Sequence, residues 1–525
     1  MLQFAQVDYS FRITASEHET LTDIGFTLMP GLRTVCMGAN GSGKTTLARL
    51  AASLYRPTRG QVLIDGLDTA DAHNRIAVRR LVGLVASDAD SQIICTTVQD
   101  EVAFGPENLG LDPEVIAERV KQSLAAVGLG DKTERDPNTL SGGQKQLLVL
   151  AAVLAMQPRY LVLDEPTAML DHEARREFMA IIEELRQGGH GILHITHDLT
   201  ALQAADQVLV LQQGRLVFTG SAEDLLARPE QMVEWKISLP GDVGRLESGG
   251  QAARQPARAS QQPMPNRRRL VMDDVRFTYL LPDGQTVDVL KGLALTVEAG
   301  SYTLVSGPSG AGKSTLLKLA AGLLQPDSGS IYIKSAADPA AVQSGARQNA
   351  PNTWRAAPGL VGLTFQFPED QLFAITVAED ILFGPRNLKL LGSNQKNPTD
   401  SGGAGVVAAA GVSPHFTNED DLVAWALREV GLDAEQYAQR SPFELSGGEM
   451  RRVAIAGVLS MQPTFLLFDE PTAGLDAQGR LFFHQLVDEQ LQQGRAVLVV
   501  SHDIDEFAGR VDRHLVLADG VLWPM

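Results

Sequence analysis

The feature that most constrains this 525-residue chain is that it repeats itself. GANGSGKTT at 38–46 returns as GPSGAGKST at 307–315, which puts Lys44 and Lys313 269 residues apart. Val82-Gly83-Leu84 and Phe104-Gly105-Pro106 return 279 residues on as Val361-Gly362-Leu363 and Phe383-Gly384-Pro385. Leu140-Ser141-Gly142-Gly143, Asp164-Glu165-Pro166-Thr167-Ala168 and His197 return 305 residues on, ending at Leu445-Ser446-Gly447-Gly448, Asp469-Glu470-Pro471-Thr472-Ala473 and His502. The order is kept and the offset grows only twice. Such a chain has to fold as two copies of one domain.

The copies are placed at 1–240 and 270–525, each long enough to bury its own core. The extra residues of the second copy fall at 335–359, rich in Ala, Pro and Asn, and at 392–418, rich in Gly, Ala, Ser and Asn. Neither can bury much apolar surface, so both read as surface excursions. The stretch 241–269 carries Gly, Pro, Gln and Arg without apolar periodicity and reads as a flexible linker.

Within each copy, short apolar runs alternate with helical patterns. Runs at 34–37 and 302–306 end in glycine loops, those at 160–163 and 465–468 end in Asp-Glu, and those at 192–196 and 497–501 end in His. This predicts an α/β fold with a parallel sheet buried on both faces. Asp112-Pro113-Glu114 opens a helix whose apolar face is Ile116, Val120, Leu124 and Val127, ended by Gly128; 422–430 followed by Gly431 is its partner in the second copy.

Gly38-x4-Gly43-Lys44-Thr45 and Gly307-x4-Gly312-Lys313-Ser314 each follow a strand and precede a helix, the context in which a P-loop match counts. Backbone N–H groups of Gly38, Asn40, Gly41, Ser42, Gly43, Lys44, Thr45 and Thr46 can close around phosphate oxygens. Gly307, Ser309, Gly310, Ala311, Gly312, Lys313, Ser314 and Thr315 are the second set. The lysines reach the β- and γ-phosphates, and Thr45 and Ser314 offer hydroxyls to Mg²⁺. Asp164 and Asp469 end strands, where an open sheet presents ligands, and can hold the Mg²⁺ shell. Glu165 and Glu470 can orient and deprotonate the attacking water. One such Asp-Glu pair could be a solvated strand end; two in register behind P-loops point to chemistry. His197 and His502 recur behind the carboxylates and suit a γ-phosphate hydrogen bond, whereas the other eight histidines, His194 among them, read as structural. Ser141, Gly142 and Gly143, and Ser446, Gly447 and Gly448, open long helices. They can cap them or offer a second phosphate-binding surface.

Composition narrows the remaining classes. A net charge of −18 argues against a nucleic-acid partner, and two cysteines, Cys36 and Cys95, exclude a disulfide framework or a Cys-rich metal site. The longest apolar run, 147–156, is too short to span a bilayer, and the N-terminus lacks the pattern of a signal peptide.

Together these motifs resemble the nucleotide-binding domains of ABC transporters, over nearly all the chain outside linker and insertions. The resemblance implies two P-loop NTPase domains in tandem, each a mostly parallel sheet core with an antiparallel β subdomain and a helical subdomain. It implies ATP and Mg²⁺ as ligands. It also implies a pseudo-dimer within one chain, in which Lys44, Thr45, Asp164, Glu165 and His197 face Ser446, Gly447 and Gly448, while Lys313, Ser314, Asp469, Glu470 and His502 face Ser141, Gly142 and Gly143. Asp171 and Asp476 match the D-loop aspartates. Phe11 and Tyr279 match the aromatic that stacks on adenine, with Tyr9 a competitor.

A narrower resemblance is to the ATPase pair of energy-coupling factor (ECF) transporters, which import vitamins and metal ions. It is carried by VGLTFQFPEDQLFAITVAEDILFGPRNL at 361–388 and VGLVASDADSQIICTTVQDEVAFGPENL at 82–109. It implies a transmembrane coupling protein and a membrane substrate-binding subunit as partners, and a peripheral place on the cytoplasmic face of the membrane. The tandem ATPases of sugar and peptide importers are the neighbouring alternative; a soluble ABC translation factor is a more distant one. Gln366 matches the family's Gln-loop residue, which reaches Mg²⁺ and the attacking water. The first copy has Ser87 at that register, too short to replace the amide. The expectation is slow turnover at the Lys44 site and dominant hydrolysis at the Lys313 site.

Overall fold

The computed structural model describes residues 1–13, 16–168, 170–237, 268–280, 284, 286–334, 354–355, 359–390, 416 and 418–525. Most of the linker read at 241–269 and most of both insertions read at 335–359 and 392–418 lie outside these residues. The chain divides into two compact units, Met1–Gln251 with Ala473–Arg480, and Ala252–Thr472 with Leu481–Met525.

In the first unit a six-stranded sheet runs in the order Arg215–Gly220, Gln207–Gln212, Arg33–Met37, Gly191–Ile195, Tyr160–Asp164, Val82–Val85. Every pairing is parallel except that of the edge strand Arg215–Gly220. Arg33–Met37, Tyr160–Asp164 and Gly191–Ile195 are buried throughout, because both sheet faces are covered; hence their mostly apolar sequences. A second, four-stranded antiparallel sheet contains Leu2–Ile13 between Ser16–Leu28 and Arg59–Ile64. Its inward residues Leu2, Phe4, Val7, Ile24 and Val62 join Leu47 and Leu50 of the P-loop helix in one core.

The helices Val98–Asn108, Pro113–Ala126 and Gly142–Ala155 form a separate layer around Val98, Val102, Leu124, Leu148 and Phe178. Pro113 occupies the first turn of its helix, where its missing N–H costs nothing.

The second unit repeats this plan. Its six-stranded sheet runs Val361–Thr364, Phe465–Asp469, Ala496–Val500, Tyr302–Ser306, Arg513–Ala518, Val521–Pro524. Its smaller sheet is built on Arg269–Leu280 and Thr286–Glu298, and its helical layer on Val377–Asn387, Glu419–Glu429 and Gly447–Leu459. In both units the P-loop, the Asp-Glu pair and the histidine therefore lie at the carboxyl ends of adjacent parallel strands, where an open α/β sheet presents ligands.

Candidate functional site

Each P-loop is a sharp turn between a buried strand and a helix. Gly38 and Gly307 stand where the chain passes against a neighbouring strand. A Cβ there would lie 2.2 Å from the Leu211 carbonyl oxygen in one unit and 2.2 Å from that of Leu517 in the other. The lysine that follows folds back over the turn. Lys44 Nζ donates to Gly38 O at 2.8 Å and Ala39 O at 3.0 Å; Lys313 Nζ donates to Gly307 O and Pro308 O at the same two distances. The loop is thereby closed into a ring around its lysine. Burial pushes the Lys44 ammonium below its ordinary value, and Glu165, 4.0 Å away, pulls it back.

Behind the loop the acidic strand ends meet the P-loop hydroxyls. Asp164 accepts a hydrogen bond from Thr45, and Asp469 from Ser314. Burial raises both carboxyls above the usual range, and Glu165 or Glu470 beside them adds to it. Asp469 Oδ1 is buried with no partner among the described residues. A carboxylate and a hydroxyl side by side, one oxygen unmatched, form a donor set that suits a hard cation such as Mg²⁺.

Glu165 and Glu470 both hold left-handed backbone angles, φ 52° and 45°, which side chains other than glycine rarely adopt. Strain at one residue in each of two matched sites points to function. Each Glu meets its histidine: His197 Nε2 lies 2.7 Å from Glu165 Oε1, and His502 Nδ1 2.9 Å from Glu470 Oε2. Burial opposes the Glu165 charge, but the hydrogen bond and charge of His197, with Lys44, outweigh it and hold this carboxyl below its ordinary value. Both glutamates are thus oriented at the oxygen that would take a proton.

The expected histidine–γ-phosphate bond gains a second element, since each ring is already engaged by the glutamate. Asp171 and Asp476 cap their helices, accepting from Ala174 N at 2.9 Å and Gly479 N at 2.8 Å. Ser141 and Ser446 close capping boxes with Gln144 and Glu449. In the first unit Tyr9 stacks on Tyr55 at 5.2 Å, and Phe11 meets both rings edge-on. Arg49 donates to the Tyr55 hydroxyl at 2.7 Å. Tyr279 is part-exposed and packs edge-on against Phe277.

Sequence reasoning missed the braces of the Gln loop. Gln92 accepts from Ala86 N at 2.7 Å, and Gln371 accepts from Phe365 N at 3.3 Å. Their recurrence in register was the available signal. It also missed Tyr55 and Arg49, which no motif marks.

The model of the ABC transporter family matches residues 21–168 and again residues 290–473. The chain belongs to the ABC transporter family. It carries the ATPase cassette of that family twice. A Bifidobacterium longum (strain NCC 2705) protein, named as an ABC transporter ATP-binding protein, is 35% identical over 96% of this chain; the chain spans 64% of that relative's length. The cobalt import ATP-binding protein CbiO of Syntrophus aciditrophicus is 40% identical over 46% of this ABC protein and 85% of its own length. The energy-coupling factor transporter ATP-binding protein EcfA1 of Clostridium perfringens is 40% identical over 44% of the chain and 85% of its own length.

Proposed function

We propose that this ABC protein is the ATP-hydrolysing subunit of an ECF-type importer, moving a vitamin or a metal ion through membrane partners. The observation that carries the catalytic part is the repeated constellation of P-loop lysine, Asp–hydroxyl pair and strained Glu–His pair. In each site the lysine and loop amides bind the β- and γ-phosphates. The glutamate accepts the proton of the attacking water, and the histidine holds that glutamate and the γ-phosphate in one line. Thr45 and Asp164 in one site, and Ser314, Asp469 and Gln366 in the other, would hold Mg²⁺, which would supply positive charge to the phosphate oxygens. The domains are 1–240 and 270–525, joined by the linker 241–269. ATP brings each P-loop against the Ser-Gly-Gly turn of the other domain, and Phe11 and Tyr279 stack on adenine.

The likeness to CbiO and EcfA1 supports the importer type. So does exposed apolar surface on the same segments: Ile94 and Phe104 in the first unit, and Phe373, Ile375 and Phe383 in the second. Ile375 is 80% exposed, and the Phe373 and Phe383 rings pack edge to face at 4.7 Å. In this reading the motor acts from the cytoplasmic face on a transmembrane coupling protein and a substrate-binding subunit; no helix among the described residues is long and apolar enough to cross a membrane. The tagged full chain, purified from detergent-solubilised membranes of its own host, is expected to bring down those two proteins. The double substitution Phe373→Ser, Phe383→Ser is expected to lose them while keeping ATPase activity. Ribosomal RNA in their place would overturn the importer reading.

A further inference from the structure

The helix Gly447–Leu459 carries an arginine in its second turn that no motif accounts for. Arg451 is half-buried, and both ends of its guanidinium are spent on main-chain carbonyls. One nitrogen donates to Pro471 O at 2.8 Å, and the other to Gln366 O at 3.0 Å. Pro471 directly follows the strained Glu470, and Gln366 is the Gln-loop residue itself. One side chain therefore ties together the two segments that present the water-handling groups of the Lys313 site. We infer that Arg451 is a positioning residue of this site, fixing the Gln366 loop and the peptide after Glu470 in one relation to the helix that carries Ser446.

Observations within the second unit support this. The acceptors are backbone atoms, so the clamp acts on loop position whatever the side chains of Gln366 and Pro471 do. Pro471 has no N–H, which leaves its carbonyl as the one backbone hydrogen-bonding handle on the residue after the left-handed Glu470. A charged donor makes about twice the bond of a neutral one and suits the restraint of a strained turn. The same helix also grips the loop through Gln371, which accepts from Phe365 N and donates to Ala454 O at 3.0 Å. Burial pushes the Arg451 guanidinium down to about 10, with Glu369 and Glu470 drawing it back, so it stays charged at neutral pH.

The first unit lacks the device. At the matching register stands Gln146, neutral and shorter, whose amide reaches Ala86 O at 2.8 Å. There Gln92, in the turn after the strand Val82–Val85, reaches back to Leu84 O of that strand rather than onto the helix. The unit with Ser87 in place of the Gln-loop glutamine is thus also the unit without the guanidinium clamp. The inference rests on the proposed hydrolysis of ATP at the Lys313 site.

The test uses the full chain, with steady-state phosphate release and binding of a fluorescent ATP analogue measured on each variant. Arg451→Gln, which installs the first unit's residue, is expected to lower kcat on the order of ten- to a hundredfold, the scale of a displaced catalytic group. KM for ATP and analogue binding should stay within about twofold, because the P-loop is untouched. Arg451→Lys, which keeps the charge and one of the two bonds, should recover part of kcat. A purely structural arginine would show otherwise: a lowered melting temperature with kcat of the folded fraction unchanged, or KM and kcat lost together, and either result overturns the inference. If Arg451→Gln does not fold, Arg451→Lys decides, since an unchanged kcat in that variant is the same refutation. Glu470→Gln in parallel separates the two readings. Full activity in that variant removes the hydrolytic assignment; its loss together with normal Arg451→Gln kinetics removes only the clamp.

Discussion

Replacing Glu165 or Glu470, the two proposed bases, by glutamine gives the most direct measure of how the two sites share the work. The amide is close in shape to the carboxylate, and both glutamates are held by neighbours that an amide can also satisfy. Glu470 accepts from His502 N at 3.3 Å and meets the His502 ring at 2.9 Å, so in Glu470→Gln the side chain stays in place and loses only its charge. What disappears is proton acceptance, a contribution on the order of 10²- to 10⁴-fold for a positioned base. The total rate then depends on coupling. Two equal, independent sites lose about half of the rate for either substitution, and two obligately coupled sites lose about a hundredfold or more for either. A dominant Lys313 site gives a third pattern: Glu470→Gln falls by about a hundredfold, while Glu165→Gln keeps more than about half. The missing Gln-loop amide at Ser87 and the clamp confined to the second unit favour this third pattern. The assay is phosphate release at saturating ATP by the full chain, alone and with the membrane partners proposed above, with nucleotide binding confirmed for each variant. Equal losses from the two substitutions, whatever their size, refute the asymmetry.

Two further outcomes follow from local geometry. Gly307→Ala places a methyl 2.2 Å from the backbone oxygen of Leu517 and should lower the melting temperature and abolish ATP binding; Gly310→Ala meets nothing within 4 Å and should cost only about 1–2 kcal/mol for its left-handed backbone, read from denaturant melts. His194 is fully enclosed beside Arg33, and burial, then the arginine's charge, hold its folded pKa well below the ordinary value. An unfolded chain takes up this proton near pH 6.5 and the native one only far lower. Stability should therefore fall as pH drops below about 6.5, by up to about 1.4 kcal/mol per pH unit from this group, and His194→Gln should flatten that slope in calorimetric melts.

The glycine loops, acidic strand ends and matched histidines were legible because each rests on local chemistry. A phosphate cradle needs glycines at fixed spacing, and a buried parallel strand needs an unbroken apolar run, so 160–163 and 465–468 were read to within a residue of Tyr160–Asp164 and Phe465–Asp469. The helix expected at Asp112-Pro113 begins there for the same reason. What was not legible depends on approach between distant segments. Arg451 looks like any arginine on a helix until the loop after Thr364 and the turn after Glu470 are brought against it. His484 reads from sequence only as a structural histidine; its partners show once the fold is formed, where it is buried with Nε2 3.2 Å from Glu506, whose other oxygen accepts from Thr472 at 2.7 Å. The left-handed turn at Glu165 and Glu470 has no residue-type signal at all, since glutamate is there for its carboxylate and not for its backbone.

The serine-glycine turns show why capping and phosphate binding are compatible readings of one motif. The capping box uses the serine hydroxyl to satisfy the N–H of Gln144 or Glu449, the third residue of its helix. The N–H groups of Gly142 and Gly143, or Gly447 and Gly448, still point out of the helix start, and they are the donors an anion would take. The two turns nevertheless differ in charge. Gln144 is neutral. Burial works against the Glu449 charge, but bonds from Tyr437 and Ser446 overcome it and keep the carboxyl below its ordinary value, so it is an anion at neutral pH. An anion beside phosphate-binding amides weakens their hold on phosphate. The Gly447-Gly448 turn is therefore the weaker anion site of the two. Within the first unit two departures, Ser87 for the Gln-loop amide and Gln146 for the arginine clamp, disfavour turnover at the Lys44 site, the pattern expected of one slow site and one fast one.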